Sequence, residues 1–191
     1  YGLNSSGPAP KGLSYESLVE RGYDKIPSYG VHPIDVPGSP AGWAAMSERF
    51  GKLSFEEVLQ PAIEYAEEGF VVQPNVARLW NDAYNTYSQF KDKEEFQGWF
   101  DTFSKDNRAY EAGEVFKSQD MAESLKKIAL TNAKDFYEGE LADKIDAFMK
   151  AHDGFLFKED LMAYEPEWVD PIGVNYRGYD VWEIPPNGHG I

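Results

Sequence analysis

The sequence predicts a mainly α-helical fold with one small β-hairpin, that is, an α+β chain. Three observations support this prediction. A strap rich in proline and glycine occupies residues 1–42, apolar residues recur at helical spacing over residues 43–165, and alternating residues flank Arg177-Gly178 in the last part, 166–191. With 191 residues the chain can form one hydrophobic core, so we expect a single segment built from these three parts.

The strap is expected to be extended and rich in turns. Each proline fixes its own backbone and restrains the residue before it, which disfavours regular structure. One short helix is predicted over residues 15–21, ended by Gly22. The strong helical pattern begins at Trp43 and predicts two turns up to Phe50.

The next two helices have clear start signals. Ser54 and Glu57 match a capping box in front of an apolar stripe that ends at Gly69. Pro61 lies inside that stripe and is expected to kink or restart the helix. Pro74 suits the first turn of the following helix, which is expected to reach about Phe90.

Shorter helices are predicted for the rest of the helical layer. An aromatic-rich stretch within residues 91–107 suggests a short amphipathic helix, and Ser118 is the expected cap of a clearer one. Further helices are predicted over 133–137, from Leu141 to near His152, and over 158–163. The hairpin strands are expected at 172–176 and 179–184.

Composition excludes several classes of function. The 33 acidic and 18 basic residues give a net charge of −15, which disfavours nucleic acid and anionic membrane surfaces as partners. Cysteine is absent, so disulfides, thiolate metal sites and cysteine nucleophiles are excluded. No stretch reaches the roughly 20 apolar residues that a membrane-spanning helix needs.

Common catalytic patterns are missing as well. His32, His152 and His189 are far apart and lack metal-ligand spacing, so a structural role is favoured for each and no metal site is indicated. The Gly188-His189-Gly190 run is too short to act as a phosphate-binding loop. The many carboxylate pairs on predicted helices are best explained as solvated helix faces.

The aromatic residues between Tyr84 and Tyr110 have two interpretations. The favoured one is that they form core and helix-packing surface. In the alternative they stack on sugar rings or peptide side chains, and the chain is then a non-catalytic helical binding module for a carbohydrate or peptide.

Several motifs are spread along nearly the whole chain, from about Gly2 to Ile191. They read PGSPAGW at 37–43, ERFGKLSF at 48–55, LQPAI at 59–63, EGF at 68–70, GEVF at 113–116, DFYEG at 135–139, EDLMAYE at 159–165, YRGY at 176–179 and PP at 185–186. These motifs, in this order, resemble the large subunit of the gamma-glutamyltranspeptidase family.

This resemblance implies an N-terminal-nucleophile hydrolase with an αββα sandwich, made as a self-cleaving precursor. In such enzymes the new N-terminal threonine of the small subunit attacks a γ-glutamyl amide and passes the acyl group to water or an amino acid, without a metal or organic cofactor. Thr86, Thr102 and Thr131 do not lie in the family's Thr-Thr-His processing motif. We therefore expect no catalytic residue here, and the remainder of the precursor, above all the small subunit, as partner.

The resemblance also implies one substrate-binding position. Many members have an arginine before the Ala-Pro pair that corresponds to Ala9-Pro10, where a guanidinium can grip the α-carboxylate of a γ-glutamyl group. Depending on the alignment, this arginine falls at Ser6 or Pro8, and neither residue supplies its charge. In the alternative, an arginine outside this segment supplies it. The substrate is therefore expected to be a γ-glutamyl or a related small amide. Family members are often exported to the periplasm or medium, but the sequence leaves the compartment open.

Overall fold

The computed structural model describes residues 1–188, in which helices dominate and the strands are short. Three two-stranded antiparallel sheets pair β1 with β4, β2 with β3 and β5 with β6. In chain order the elements are β1 (Gly2–Asn4), α1 (Tyr15–Glu20), α2 (Ser39–Phe50), α3 (Phe55–Glu68), β2 (Phe70–Val71), α4 (Pro74–Tyr87), α5 (Gln97–Phe103), β3 (Val115–Phe116), α6 (Gln119–Leu130), α7 (Lys134–Glu138), α8 (Glu140–Ala151), α9 (Lys158–Met162), β4 (Glu167–Val169), β5 (Ile172–Tyr176) and β6 (Tyr179–Glu183).

The predicted cap of α3 is confirmed. The Ser54 hydroxyl accepts the backbone N–H of Glu57 at 3.2 Å, and the Glu57 carboxylate accepts the backbone N–H of Ser54 at 2.8 Å. The helix continues through Pro61, so a restart at this residue is wrong. Its buried residues Phe55 and Ile63 lie on either side of Pro61, and their packing in the core holds the two halves in one helix.

The strap is more ordered than expected. Helix α2 begins at Ser39 and not at Trp43, because Pro40 occupies the first turn, where a missing N–H is tolerated. Strand β1, which the sequence did not predict, pairs with β4 so that Gly2 lies opposite Val169. The first and last parts of the chain therefore meet in one small sheet.

The main core lies between α3, α6 and the group α7 to α9. Its buried members include Ile63, Ile128 and Leu161. Asp160 is a buried carboxylate in this region, and its two oxygens accept the backbone N–H groups of Lys11 and Phe157, both at 3.0 Å. These bonds fix the strap to the start of α9.

The predicted hairpin is confirmed as β5 and β6. Ile172 pairs with Glu183 at the open end, and Arg177 and Gly178 both have positive φ, as a two-residue type I′ turn requires. Both faces are exposed: Val174 retains 63% and Trp182 65% of its accessible surface. The Gly188-His189-Gly190 run, which the sequence excludes as a phosphate-binding loop, includes His189 and Gly190, and these two lie outside the described residues.

Candidate functional site

The positions identified for substrate binding lie in a loop at residues 5–8, directly after β1. The side-chain oxygen of Asn4 accepts the backbone N–H of Ser6 at 3.0 Å, which forms a tight turn. The carbonyl oxygen of Pro8 accepts the N–H of Val36 at 3.0 Å. Ser6 and Pro8 are both exposed, so their side chains are accessible to a ligand.

Two glycines allow this loop to lie against the residues before α2. A Cβ on Gly7 would lie 1.7 Å from the carbonyl oxygen of Val36, and a Cβ on Gly38 would lie 1.9 Å from that of Ser5. Carbon and oxygen atoms cannot approach so closely. The 5–8 loop and the facing segment are therefore in direct backbone contact, which requires glycine at position 7 in the loop and at position 38 in the facing segment.

Two stacked tyrosines of the helical core support the segment that faces the loop. The ring centroids of Tyr137 and Tyr164 are 5.7 Å apart. The Tyr137 hydroxyl donates to the carbonyl of Pro37 at 2.7 Å and accepts the N–H of Ala41 at 3.2 Å. Burial raises the pKa of Tyr137 to about 12, and burial likewise raises the pKa of Tyr164, which the nearby Ser5 hydroxyl partly offsets.

Tyr137→Phe is expected to lower the free energy of unfolding by about 1 kcal/mol, because the Pro37 carbonyl loses a donor. The raised pKa also predicts a pH effect. The folded state favours the neutral phenol, so its contribution is complete below pH 10 and is lost as the pH rises towards about 12. Urea unfolding at pH 8 and at pH 11 measures both effects.

The exposed Tyr15 provides the matched control. Tyr15→Phe should leave the free energy of unfolding and its change between the two pH values as they are in the wild type. Equal pH dependence in the wild type and in Tyr137→Phe would contradict the prediction.

No cation replaces the family's arginine at this loop within residues 1–188. No arginine or lysine side chain there hydrogen-bonds to residues 5–8. Arg49, near the opposite end of β1, packs its guanidinium 4.1 Å from the ring of Tyr1 and 4.2 Å from that of Trp168. Residues 5–8 are Ser-Ser-Gly-Pro, so the loop carries no charge of its own.

Thr86 and Thr102 lie in helices, and Thr131 directly follows α6 as its C-terminal cap. The Thr86 hydroxyl donates to the Asp82 carbonyl at 2.9 Å, and the Thr131 hydroxyl donates to the Lys127 carbonyl at 2.7 Å. Thr102 lies inside α5. Such hydroxyls satisfy backbone groups of their own helices.

Sequence reasoning did not anticipate that two histidines share one cavity. His32 and His152 both line a space of about 400 Å³, together with Arg21 and Asp153, which form an ion pair at 3.0 Å. Burial, followed by the charge of Arg21, lowers the pKa of His32, so this imidazole is neutral at pH 7. Among residues 1–188, no group of three or more His, Cys, Asp or Glu side chains could hold a metal ion.

The aromatic residues between Tyr84 and Tyr110 mostly pack on one another. Tyr87 stacks on Trp99 and Phe90 stacks on Phe96, each pair with ring centroids 4.5 Å apart. Trp80 donates its indole N–H to the carbonyl of the last residue of α5 at 2.7 Å. These contacts agree with the packing interpretation rather than with a sugar-binding or peptide-binding face.

Most of the paired carboxylates are exposed, as the sequence predicts for solvated helix faces, but Asp146 is half-buried and accepts the backbone N–H of Lys158 at 3.1 Å. Glu140 pairs with Lys127 at 2.5 Å and with Lys144 at 2.9 Å, and these bonds lower the pKa of Glu140 to about 2. Within the described residues, no helix has the length and hydrophobicity needed to cross a membrane.

The family profile and the curated relatives of this chain agree with one another. The profile of the family described as gamma-glutamyltranspeptidase matches residues 1–191. The glutathione hydrolase-like YwrD proenzyme of Bacillus subtilis is 32% identical, over 98% of this chain and 34% of the relative. The capsule biosynthesis protein CapD proenzyme of Bacillus anthracis is 37% identical, over 83% of this chain and 28% of the relative.

Solved structures with a similar fold are related to the same family. A cephalosporin acylase from Bacillus halodurans superposes with a TM-score of 0.94 and 49% identity, over 97% of this chain and 35% of that one. The gamma-glutamyltranspeptidase of Helicobacter pylori gives a TM-score of 0.83 and 29% identity, over 96% and 52% of the two chains. The chain spans about a third of the length of curated relatives that match 98% or more of it. The chain belongs to the gamma-glutamyltranspeptidase family and corresponds to a large-subunit part of the family precursor.

Proposed function

We propose that this chain is the large-subunit part of an enzyme that cleaves a small amide and transfers the acyl group to water or an amino acid. The nucleophile is an N-terminal threonine outside residues 1–191, whose own α-amino group acts as base. Family membership and the proenzyme relatives support this proposal. The partner is the remainder of the same precursor, especially the small catalytic subunit.

The proposed substrate specificity rests on the 5–8 loop, whose residues are uncharged. An arginine at Ser6 or Pro8 could bind a carboxylate through two parallel charged hydrogen bonds. The exposed serine hydroxyl and the proline ring provide no such charge. The acyl group is therefore a γ-glutamyl or related group that this loop does not select through its α-carboxylate, in line with the likeness to a cephalosporin acylase.

The exposed hairpin supports the proposal that this segment belongs to an αββα sandwich. A two-stranded hairpin is marginally stable alone, and β5 and β6 present apolar side chains on both faces. In the proposed arrangement this hairpin joins a sheet of an αββα sandwich, residues 43–165 form its helical cover and residues 1–42 form the strap. Residues 1–191 are thus one segment of a larger fold.

The test uses the full-length protein and three p-nitroanilides of similar shape. The acyl groups are 4-carboxybutanoyl (glutaryl), its carboxamide 4-carbamoylbutanoyl, and γ-glutamyl. We expect the precursor to separate into two subunits, and kcat/KM for glutaryl to exceed that for the carboxamide by less than about 5-fold, since the loop provides no cationic donor for the carboxylate.

The outcomes separate the two parts of the proposal. A precursor that stays in one piece and releases no nitroaniline would contradict the enzymatic assignment. A preference for glutaryl and γ-glutamyl of 10-fold or more, which one charged hydrogen bond can supply, would instead leave the enzyme assigned and overturn the statement about the loop.

A further inference from the structure

A chain of amide hydrogen bonds links the 5–8 loop to the segment after β6. Asn4 and Asn187 are 183 positions apart in sequence, yet the Asn4 side-chain nitrogen donates to the Asn187 side-chain oxygen at 3.0 Å. A Cβ on Gly2 would lie 2.9 Å from a methyl carbon of Ile184, so the segment after β6 packs directly on β1. Asn187 therefore lies beside the candidate site.

The backbone determines which way these amides point. The N–H of Ser6 needs an acceptor, and the Asn4 side-chain oxygen supplies it at 3.0 Å. The nitrogen of Asn4 must then face Asn187 and takes the Asn187 oxygen as its acceptor. The side-chain nitrogen of Asn187 keeps two N–H groups that have no partner within residues 1–188, and this residue is exposed.

From this arrangement we infer that Asn187 is a specificity-determining residue that donates a hydrogen bond to a neutral carbonyl oxygen of the acyl group. The inference rests on the proposed function. A primary amide is a donor without charge. A carboxylate at this place would accept a stronger hydrogen bond, but it would lose its hydration with no cation to offset the cost, whereas a carboxamide or ester carbonyl has no charge to desolvate. Asn4 acts as a positioning residue, since it contacts Asn187 and not the substrate.

The test compares two p-nitroanilides that differ only at the end of the acyl chain. The 4-carbamoylbutanoyl group ends in a carboxamide, and the 5-methylhexanoyl group has two methyls in the same place. In the full-length enzyme we expect kcat/KM to favour the carboxamide by about 10-fold, as one hydrogen bond made by the substrate would give.

Variants at Asn187 separate a donor from a merely structural residue. Asn187→Ala should reduce the ratio of the two kcat/KM values to about 1, because the carboxamide then loses its hydrogen bond. Asn187→Asp keeps the acceptor for Asn4 but removes the donor, so the ratio should also fall to about 1 or below. Asn4→Asp keeps the acceptor for Ser6 but loses the donor to Asn187, and it should give an intermediate ratio.

Asn85→Ala, an exposed change on α4, serves as the matched control and should keep the wild-type ratio. If both Asn187 variants keep the wild-type ratio while the enzyme cleaves the anilides, the inference is wrong and the proposed function stands. If the wild-type protein cleaves none of the anilides in either panel, the proposed function fails and the inference with it.

Discussion

An arginine introduced at Pro8 or Ser6 is expected to create selectivity for acyl groups that carry a carboxylate. In the full-length enzyme, kcat/KM for glutaryl p-nitroanilide relative to the carboxamide analogue should rise by about 10- to 100-fold, the range that a charged hydrogen bond provides. Both side chains are exposed at the edge of the loop, so a longer residue can be accommodated without repacking the core. The increase should appear mainly as a lower KM for glutaryl.

Glutamine at the same position is the matched control for Pro8→Arg or Ser6→Arg. It has similar length and can donate hydrogen bonds, but it lacks the charge, so its effect should stay below about 5-fold. The arginine effect should also weaken as ionic strength rises, because the new interaction is charged. If neither arginine variant changes the ratio, the 5–8 loop does not face the acyl group.

The helices could be predicted from sequence because their signals are local. The capping residues Ser54 and Ser118 lie next to the helices that they start, and the stripe that includes Leu59 and Ile63 faces the core as its spacing predicts. The hairpin around Arg177-Gly178 was predictable for the same reason. In each case the residues that determine the element lie within a few positions of one another.

Contacts between distant parts of the chain could not be predicted in this way. Strand β1 contains three residues, and its partner β4 lies more than 160 positions later, so no local pattern identifies the pair. The Asn4–Asn187 hydrogen bond likewise joins residues that are far apart in sequence, 183 positions from each other. The early start of α2 was missed because the run of prolines that suggested an extended strap includes Pro40, which in the structure occupies the first turn.

The candidate site combines both kinds of information. The resemblance identified Ser6 and Pro8, and their role in substrate binding stays a prediction that the arginine variants test. The structure adds that the loop has a fixed backbone. Gly7 and Gly38 explain the fixed backbone, but a glycine in a proline-rich segment reads as an ordinary turn residue until the facing carbonyl is known.

Gly38→Ala is therefore expected to be strongly destabilising. The added Cβ would lie 1.9 Å from the carbonyl oxygen of Ser5 and 2.3 Å from the hydroxyl oxygen of Tyr164. Gly38 has φ −91°, which alanine adopts without strain, so the whole effect comes from this collision. The carbonyl belongs to the backbone of the 5–8 loop and cannot move without displacing the loop, so we expect a loss of about 3 kcal/mol or more in the free energy of unfolding.

Gly98→Ala distinguishes this collision from a general intolerance of alanine. Gly98 lies in α5, and no atom lies within 4 Å of the position its Cβ would take. There the substitution should stabilise the protein by about 0.5–1 kcal/mol, because alanine favours the helix and loses less backbone entropy on folding. Urea unfolding of the two full-length variants measures the difference. Similar unfolding midpoints for Gly38→Ala and the wild type would mean that the 5–8 loop can shift freely, and the fixed amide orientation from Asn4 to Asn187 would then lose its structural basis.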